Sequence, residues 1–171
     1  MDQPRKEIIS WREVSKLISL IIPQFETVFE LLIMLSPSGV IPAGMLAAAA
    51  GIEELLIAQV KFPPTAELDK SKLLSWPSFD HFPEDALLLE KNVLVVNKVW
   101  GSGRTIWSVH KKVESAGGIP YTCVLHYNPY RNLLKCKPDF YGAITDAFII
   151  YPWEIDQAGL DRVLLEDGGR G

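Results

Sequence analysis

Residues 93–105 contain the side chains and glycines best suited to chemistry. The stretch reads VLVVNKVWGSGRT, in which a mostly apolar run is followed by two glycines, two hydroxyl side chains and an arginine. Glycines let backbone N–H groups converge on an anion, and a helix N-terminus adds a partial positive charge. The spacing therefore predicts a phosphate site, called the phosphate turn below. Its residues are Gly101, Ser102, Gly103, Arg104 and Thr105.

A purely structural interpretation of this turn stays open, because a tight connection between a strand and a helix also favours glycine with a Ser or Thr cap. Two familiar nucleotide loops are excluded, since neither GxxxxGK[ST] nor GxGxxG occurs here. The residues before the turn are unusual as well. A nucleotide enzyme commonly places acids at such a strand end, whereas this chain has Asn97 and Lys98. The sequence offers an anion site without neighbouring carboxylates.

The composition is that of one folded domain. The chain has 171 residues, 48% of them hydrophobic and 22% charged, with a net charge of −4 that argues against nucleic-acid binding. Cys123 and Cys136 form no CxxC pair, and no two histidines have metal-ligand spacing, so we predict reduced thiols and no metal site. Neither a signal peptide nor a membrane-spanning apolar run is predicted, which makes the cytoplasm the expected location.

Apolar periodicity and helix breakers predict alternating helices and strands. Ser10 and Glu13 form a capping box at the start of the first helix, and Gly51 ends an alanine-rich second helix. The predicted helices cover residues 11–22, a segment from Met45 to the C-cap at Gly51, and about Arg104 to Ser115. The predicted strands cover residues 27–35, 55–62, 91–97, 119–127 and 146–151.

This alternation predicts an α/β fold with a mostly parallel sheet of about five strands, flanked by helices. A single domain is expected over residues 1–171, with a flexible tail at about 160–171. Residues 63–86 are rich in proline and lack a sustained period, so they predict a long loop or small irregular hood. Its aromatic residues either pack on the core or contact a partner.

The phosphate turn and four other stretches resemble one enzyme family. An apolar strand, [ST]-G-[KR]-T and a helix resemble the phosphoribosyl pyrophosphate motif of type I phosphoribosyltransferases. The segments similar to the xanthine-guanine phosphoribosyltransferase-like branch are SWREVSKLISLI at 10–21, LSPSGVIPAGMLA at 35–47, AQVKF at 58–62 and KPDFYGAITDAFIIYPWE at 137–154. The resemblance implies this family's fold, a homodimer, and a site for a nucleotide, phosphoribosyl pyrophosphate or phosphate.

The resemblance also implies roles for individual residues. The phosphate turn would hold the 5′-phosphate, while Asn97 and Lys98 stand where two acids bind the ribose hydroxyls. Gly101 replaces an acid credited with proton handling. Lysine only donates hydrogen bonds and glycine has no side chain, so neither substitutes for a carboxylate. In the pyrophosphate loop an Arg and two glycines are expected, and this chain has Ser36, Pro37, Ser38 and Gly39.

The base pocket implied by the resemblance is also altered. Asn128 stands where purine-type members have a Lys before a proline, and it keeps a neutral donor. Phe148 and Ile149 would give the base a flat apolar face. Trp100 is expected at the mouth of the cleft, where it fills space otherwise taken by ribose.

These replacements predict a phosphoribosyltransferase-like protein that has lost most or all transferase activity, because the family's catalysis should depend on positioning and electrostatics. Its function would be ligand sensing or interaction with a protein partner. The first alternative is an active purine-type phosphoribosyltransferase with an altered substrate. The second is a purely structural interaction protein. No cofactor is required in the leading hypothesis, and Mg²⁺ is needed only for the active enzyme.

Overall fold

The structure is a computed structural model that describes residues 5–62 and 77–154. The predicted tail at 160–171 and most of the predicted loop at 63–86 lie outside these residues. Within them, no helix has the length and apolar content to cross a membrane. Both cysteines are free thiols, and Cys123 is buried.

The secondary structure alternates strands and helices along the chain. The helices are α1 (Trp11–Ile21), α2 (Val40–Ala50), α3 (Asp85–Leu88) and α4 (Arg104–Ser115), and a short 3-10 helix covers Ile22–Gln24. The strands are β1 (Lys6–Ile8), β2 (Leu31–Leu35), β3 (Leu55–Lys61), β4 (Ser78–His81), β5 (Asn92–Trp100), β6 (Ile119–Tyr127), β7 (Phe140–Ile144) and β8 (Phe148–Ile150).

A mostly parallel sheet forms the centre of the fold. Its six strands have the order β4-β3-β2-β5-β6-β7, and β4 alone runs antiparallel to its neighbour. β5 and β2 lie in the middle, which fits the apolar sequence LLIML of β2 and the apolar run VLVV within β5. The predicted α/β fold with a mostly parallel sheet is confirmed.

Helices cover the two faces of this sheet. On one face, α1 and α2 pack Val14, Leu17 and Leu46 into a core cluster with the side chains of the central strands. On the other face, α4 contributes Ile106 and Val109, which follow helical spacing. The sheet therefore carries a hydrophobic core on each side, and its carboxyl edge is the place where polar side chains collect.

The predicted helix starts and ends follow local chemistry with one exception. The capping box at Ser10 and Glu13 is present, α4 has the predicted bounds, and Gly51 ends α2 in a left-handed conformation with φ of 68°. The exception is α2, which begins at Val40 instead of Met45. Pro42 did not stop this helix, because proline in the first turn sacrifices no intrahelical hydrogen bond.

Several strand predictions were wrong in extent or in number. β2 begins four residues later than the predicted strand 27–35, and β5 runs to Trp100, three residues past the predicted end. The predicted loop at 63–86 contains β4 and the start of α3 in its described part. Phe79 and Phe82 contact each other at 5.4 Å between ring centroids and pack on the α4 side of the sheet.

The C-terminal part of the chain differs most from the prediction. The main sheet ends with β7, a strand that the sequence did not reveal because its FYGAI pattern is short and contains a glycine. The predicted fifth strand at 146–151 shortens to β8, and it pairs in parallel with β1 as a separate two-stranded sheet. This terminal sheet joins the first and last described strands of the chain beside the carboxyl edge of the main sheet.

Candidate phosphate-binding site

The residues before the phosphate turn lie inside a strand and not after one. β5 pairs with β6 through Asn97↔Val124, Val99↔His126 and Trp100↔Tyr127. Asn97 is buried, with 8% of its surface exposed. The backbone of this stretch is therefore fixed by the sheet, and the loop proper begins only at Gly101.

Gly103 makes the change of direction from β5 into α4. It is the N-cap residue of α4 and has a φ of 80°, which side chains other than glycine rarely adopt. A Cβ atom at this position would lie 2.4 Å from the indole nitrogen of Trp100. A Cβ at Gly101, in contrast, would meet no atom within 4 Å. The two glycines of the turn therefore differ in how strongly the structure requires them. The fold requires glycine at position 103, whereas position 101 borders open space.

The side chain of Trp100 packs against the turn from the core. It is fully buried, and its Nε1 donates to Asn132 Oδ1 at 3.1 Å. Its expected position at the mouth of the cleft was wrong, because β5 continues far enough to place the indole in the core. The chain after β6 also braces the turn, since the Leu133 N–H donates to the Ser102 carbonyl at 3.2 Å. The phosphate turn is therefore a rigid connection.

A cavity of about 210 Å³ opens above the turn. It brings together residues from all three sequence segments that the resemblance associates with phosphates and ribose. The lining residues are Ser38, Asn97, Lys98, Val99, Gly101, Ser102, Gly103, Thr105 and Ile106. Arg104 does not line it, and its guanidinium lies over the ring of Phe62 at 4.5 Å. Its walls thus include three Ser or Thr residues, Asn97 and Lys98, together with the N-terminus of α4.

Two backbone N–H groups of the pyrophosphate loop form hydrogen bonds within the protein. The Ser36 N–H donates to Ala58 O at 3.0 Å and the Gly39 N–H to Leu35 O at 2.6 Å, while Pro37 has no N–H. A Cβ at Gly39 would lie 2.5 Å from the Val96 carbonyl oxygen, so the loop presses against β5. The amides of Ser36 and Gly39 are therefore engaged within the protein.

Asn97 ties this loop to β5. Its Oδ1 accepts hydrogen bonds from the Ser38 hydroxyl at 2.7 Å and from the Lys98 N–H at 2.8 Å. A carboxylate here could bind a sugar hydroxyl, but this amide oxygen already has two protein donors. The Asn97 side chain thus links the pyrophosphate loop to β5.

Lys98 forms an ion pair that the sequence did not reveal. Its ammonium group binds Glu154 Oε1, and the two side chains are 20% and 14% exposed. Glu154 Oε2 accepts from the Tyr151 N–H at 3.2 Å, and the ammonium lies 5.6 Å from the centre of the Tyr151 ring. The Lys98 ammonium is thus held in place by a carboxylate from the segment after β8.

Tyr151 connects this pair to His126. Its hydroxyl donates to the Lys98 carbonyl at 2.9 Å, and a hydroxyl has one proton, so its oxygen accepts from His126 Nδ1 at 2.9 Å. Burial lowers the pKa of His126 to about 4 and holds the pKa of Tyr151 well above its ordinary value. Both groups are neutral near pH 7, and the neutral imidazole carries its proton on Nδ1.

The predicted base-pocket residues do not line the cavity above the turn. Asn128 is 2% exposed, and its Oδ1 accepts from the backbone N–H groups of Tyr130 and Arg131. Phe148 is half exposed on the terminal sheet. Ile149 lines a second cavity of about 320 Å³ between the terminal sheet and the ends of β6 and β7, which His126 also lines. None of these three residues therefore lines the cavity above the turn, although the Asn128 N–H donates to the Trp100 carbonyl at 2.9 Å.

Sequence reasoning missed Glu154 and Tyr151 as residues of the site. Both belong to the segment IIYPWE, which contributed to the family resemblance without a role for either residue. A buried cation requires a partner, so Lys98 was the one signal that an acid would be found nearby. Nothing in the spacing of 56 residues identifies which acid it is.

Solved structures with this fold include nucleotide enzymes. A purine phosphoribosyltransferase of Pyrococcus horikoshii is 24% identical, with 86% of this chain and 93% of that chain covered and a TM-score of 0.71. The xanthine-guanine-hypoxanthine phosphoribosyltransferase of Helicobacter pylori is 17% identical over 94% and 99% of the two chains, with a TM-score of 0.69. These proteins define the fold as that of the type I phosphoribosyltransferases.

A third similar structure contains a ligand. It is a protein of Neisseria gonorrhoeae with bound ppGpp, 20% identical over 98% of this chain and 99% of that chain, with a TM-score of 0.77. No protein-family model and no curated protein sequence matches the chain. The expectation of the phosphoribosyltransferase fold is therefore confirmed by structural likeness.

Proposed function

We propose that this chain is a phosphoribosyltransferase-like protein that binds a nucleotide or related phosphate ligand without an efficient transfer reaction. One observation carries the proposal. The phosphate turn opens into a cavity at the N-terminus of α4, whereas the neighbouring ribose position holds Lys98 paired with Glu154. The cavity at the helix N-terminus favours phosphate binding. Lys98 stands where the resemblance implies a carboxylate that would position ribose and Mg²⁺.

Ligand binding is supported by the geometry of the turn. A helix N-terminus with backbone N–H groups and the hydroxyls of Ser102 and Thr105 suits a 5′-phosphate. The fold is shared with a protein that holds ppGpp, a purine nucleotide with several phosphates. Both points favour a purine nucleotide as the ligand of the cavity.

The loss of transferase activity is supported by two altered groups. Within residues 5–62 and 77–154, no carboxylate lines the cavity above the turn, and Mg²⁺ prefers oxygen ligands such as carboxylates. The pyrophosphate loop has closed its Ser36 and Gly39 amides on the protein itself. A bound phosphoribosyl pyrophosphate would lack carboxylate ligands for the metal and the Ser36 and Gly39 amide contacts for its leaving group.

Titration calorimetry tests the binding half of this proposal. Guanosine 5′-monophosphate, added without Mg²⁺ to the full chain, is expected to bind saturably at one site. Gly101→Ala should weaken this binding, since the added methyl group projects into the cavity and meets no protein atom. No saturable binding of purine nucleotides would contradict the proposal and favour the structural interaction protein.

A turnover assay tests the other half. Phosphoribosyl pyrophosphate, Mg²⁺ and guanine, hypoxanthine or xanthine should give no nucleotide at an ordinary enzymatic rate of about 10 s⁻¹. Turnover at such a rate would instead establish the second candidate, an active purine-type enzyme with an altered substrate. That candidate is supported by the shared fold of purine phosphoribosyltransferases.

The biological role proposed for such binding is ligand sensing or interaction with a protein partner. A homodimer and a cytoplasmic location remain predictions from the resemblance and the sequence. Light scattering of the purified chain with and without guanosine 5′-monophosphate measures the oligomeric state and any change on binding.

A further inference from the structure

The charges of the chain are unevenly distributed. Residues 91–138 contain eight Lys or Arg residues and a single acid, Glu114, whereas the rest of the chain contains nine Lys or Arg residues and 20 acids. The net charge of −4 is therefore the balance of a basic region and a strongly acidic remainder. The basic region includes α4 and the connection between β6 and β7.

Five of these eight cations have partners within the protein. Lys91, Lys98 and Lys111 form ion pairs with glutamates. The charged groups of Arg104 and Lys112 lie over aromatic rings. These five therefore contribute to the structure of the chain itself.

The remaining three cations lie in the connection formed by residues 128–138, called the basic loop below. They are Arg131, Lys135 and Lys137, which are all exposed, and none of them pairs with a carboxylate of the described residues. The basic loop contains neither Asp nor Glu. Like charges in one loop repel each other, so this surface is complementary to an external anionic group.

Hydrogen bonds fix the backbone of the basic loop. Asn128 Oδ1 accepts from the Arg131 N–H at 3.3 Å. Asn132 donates through Nδ2 to the Cys136 carbonyl at 2.7 Å, and its Oδ1 accepts from the Leu134 N–H at 3.1 Å. A surface with an ordered backbone loses little conformational entropy when a partner binds.

The basic loop also exposes apolar side chains between its cations. Leu134 and Cys136 pack on the core cluster on the α4 side of the sheet. Leu133, in contrast, is 61% exposed, and Tyr130 is 80% exposed. Exposed apolar groups beside unpaired cations are typical of a surface that contacts another protein.

We propose that the basic loop binds an acidic segment of a partner protein. Carboxylates of that segment pair with Arg131, Lys135 and Lys137, and its apolar side chains cover Leu133. A polypeptide is favoured over a nucleic acid because Leu133 has no partner on a phosphate backbone and the acidic remainder of the chain repels a long polyanion. The inference rests on the protein interaction in the proposed function and does not depend on nucleotide binding at the phosphate turn.

Fluorescence anisotropy with a defined probe tests this proposal. The probe is a fluorescein-labelled peptide of repeated Asp-Glu-Leu units, and a labelled oligouridylate of equal charge is measured beside it. At about 50 mM NaCl the full chain should bind the peptide saturably and at least about tenfold more tightly than the oligouridylate. At about 300 mM NaCl the peptide should bind more weakly, because salt screens exposed charges.

A triple variant removes the three cations of the basic loop. Arg131→Gln, Lys135→Gln and Lys137→Gln together should weaken peptide binding at least about tenfold, because each change removes an exposed charge from the proposed surface. Leu133→Ser alone should weaken peptide binding about threefold through the loss of apolar contact.

A second triple variant controls for the change in net charge. Lys6→Gln, Arg12→Gln and Lys16→Gln remove three exposed cations of β1 and α1, so the net charge changes by the same amount. This variant should keep the peptide affinity of the wild type within about twofold. Circular dichroism and thermal unfolding show whether each variant is folded.

The outcomes separate this inference from nucleotide binding. Absence of saturable peptide binding, or equal weakening in the two triple variants, would overturn the proposal. Tighter binding of the oligouridylate than of the peptide would overturn it in favour of a nucleic acid. The triple variant of the basic loop should bind guanosine 5′-monophosphate within about twofold of the wild type, whereas failure of the wild type to bind this nucleotide would leave the proposal for the basic loop intact.

Discussion

The phosphate turn and the pyrophosphate loop are two connections at the same edge of the sheet, and they differ in what their backbone groups do. In the pyrophosphate loop, the Ser36 and Gly39 N–H groups donate to Ala58 and Leu35. In the phosphate turn, Gly101 borders open space and the N-terminus of α4 faces a cavity. Two amides of the pyrophosphate loop are thus bonded within the protein, while the turn at residues 101–105 borders the cavity in which we propose that an anion binds.

This difference is the basis of the proposal that the chain binds a phosphate ligand without efficient transfer. Phosphate binding at the turn would need only backbone amides, two hydroxyls and Gly103. The fold itself requires this glycine, because a Cβ atom there would clash with Trp100. Transfer would need several side chains in addition. The proposal therefore treats binding at the turn and catalysis as separable.

The largest expected effect concerns Gly103. Gly103→Val forces a β-branched residue to a φ of 80° and places its Cβ 2.4 Å from the Trp100 indole. We expect a loss of about 3 kcal/mol or more in the free energy of unfolding, from backbone strain and overpacking together. Urea denaturation followed by tryptophan fluorescence measures it.

The matched change in the same turn is Gly101→Ala, which should alter the free energy of unfolding by less than about 0.5 kcal/mol. Similar losses for the two variants would show that the turn is not built as described. This comparison makes Gly101, and not Gly103, the position at which ligand binding is tested without unfolding the protein.

The second expected effect is a dependence of stability on pH through His126. Burial lowers its pKa to about 4 in the folded chain, from an unfolded value near 6.5. Between these values the unfolded chain binds a proton that the folded chain does not, so stability falls as the pH decreases from 6.5 to 4. The contribution lost is about 3 kcal/mol.

Urea denaturation of wild type and His126→Asn at several pH values isolates this contribution, because the variant should lose that part of the acid dependence. Burial also lowers the pKa of His110 on α4. His110→Gln is therefore measured in parallel, so that the acid dependence from His110 can be distinguished from that of His126. Equal acid dependence in wild type and His126→Asn would contradict the neutral, Tyr151-bonded histidine of the structure.

The third effect concerns the ion pair beside the turn. Lys98→Met alone should lower the free energy of unfolding by about 2 kcal/mol, because Glu154 is 14% exposed and keeps a charge without its partner. Addition of Glu154→Gln should recover most of this loss. A double-mutant cycle by urea denaturation measures the coupling, and additive losses would exclude an energetically important pair.

The smallest effect is expected in the closed loop. Ser38→Ala removes the hydrogen bond to Asn97 Oδ1 and should cost about 1 kcal/mol of stability. Affinity for guanosine 5′-monophosphate should remain within about twofold, since the phosphate contacts belong to the other connection. A tenfold loss of affinity with unchanged stability would show that Ser38, which lines the cavity, contacts the ligand.

The sequence predicted the parts of the fold that local chemistry determines. α4 has the predicted bounds, and the apolar runs of the central strands identified a parallel sheet. The terminal sheet was not predictable, because the pairing of Lys6–Ile8 with Phe148–Ile150 joins segments about 140 residues apart. β7 was missed for a related reason, since its five residues gain their conformation from pairing with β6.

The candidate site shows the same division. The phosphate turn was identifiable from residues that are adjacent in the chain. The partners of Lys98, in contrast, lie more than 50 residues away, and only packing brings Tyr151 and Glu154 to it. The predicted position of Trp100 was wrong because the strand was predicted to end three residues too early. In the structure, β5 includes Trp100 and its side chain is buried.

A crystal structure of the chain with guanosine 5′-monophosphate tests the central claim most directly. We expect phosphate oxygens within about 3 Å of the backbone N–H groups of residues 103–105, with Lys98 still bound to Glu154. A nucleotide whose phosphate lies in the second cavity beside Arg5, with the phosphate turn empty, would contradict it.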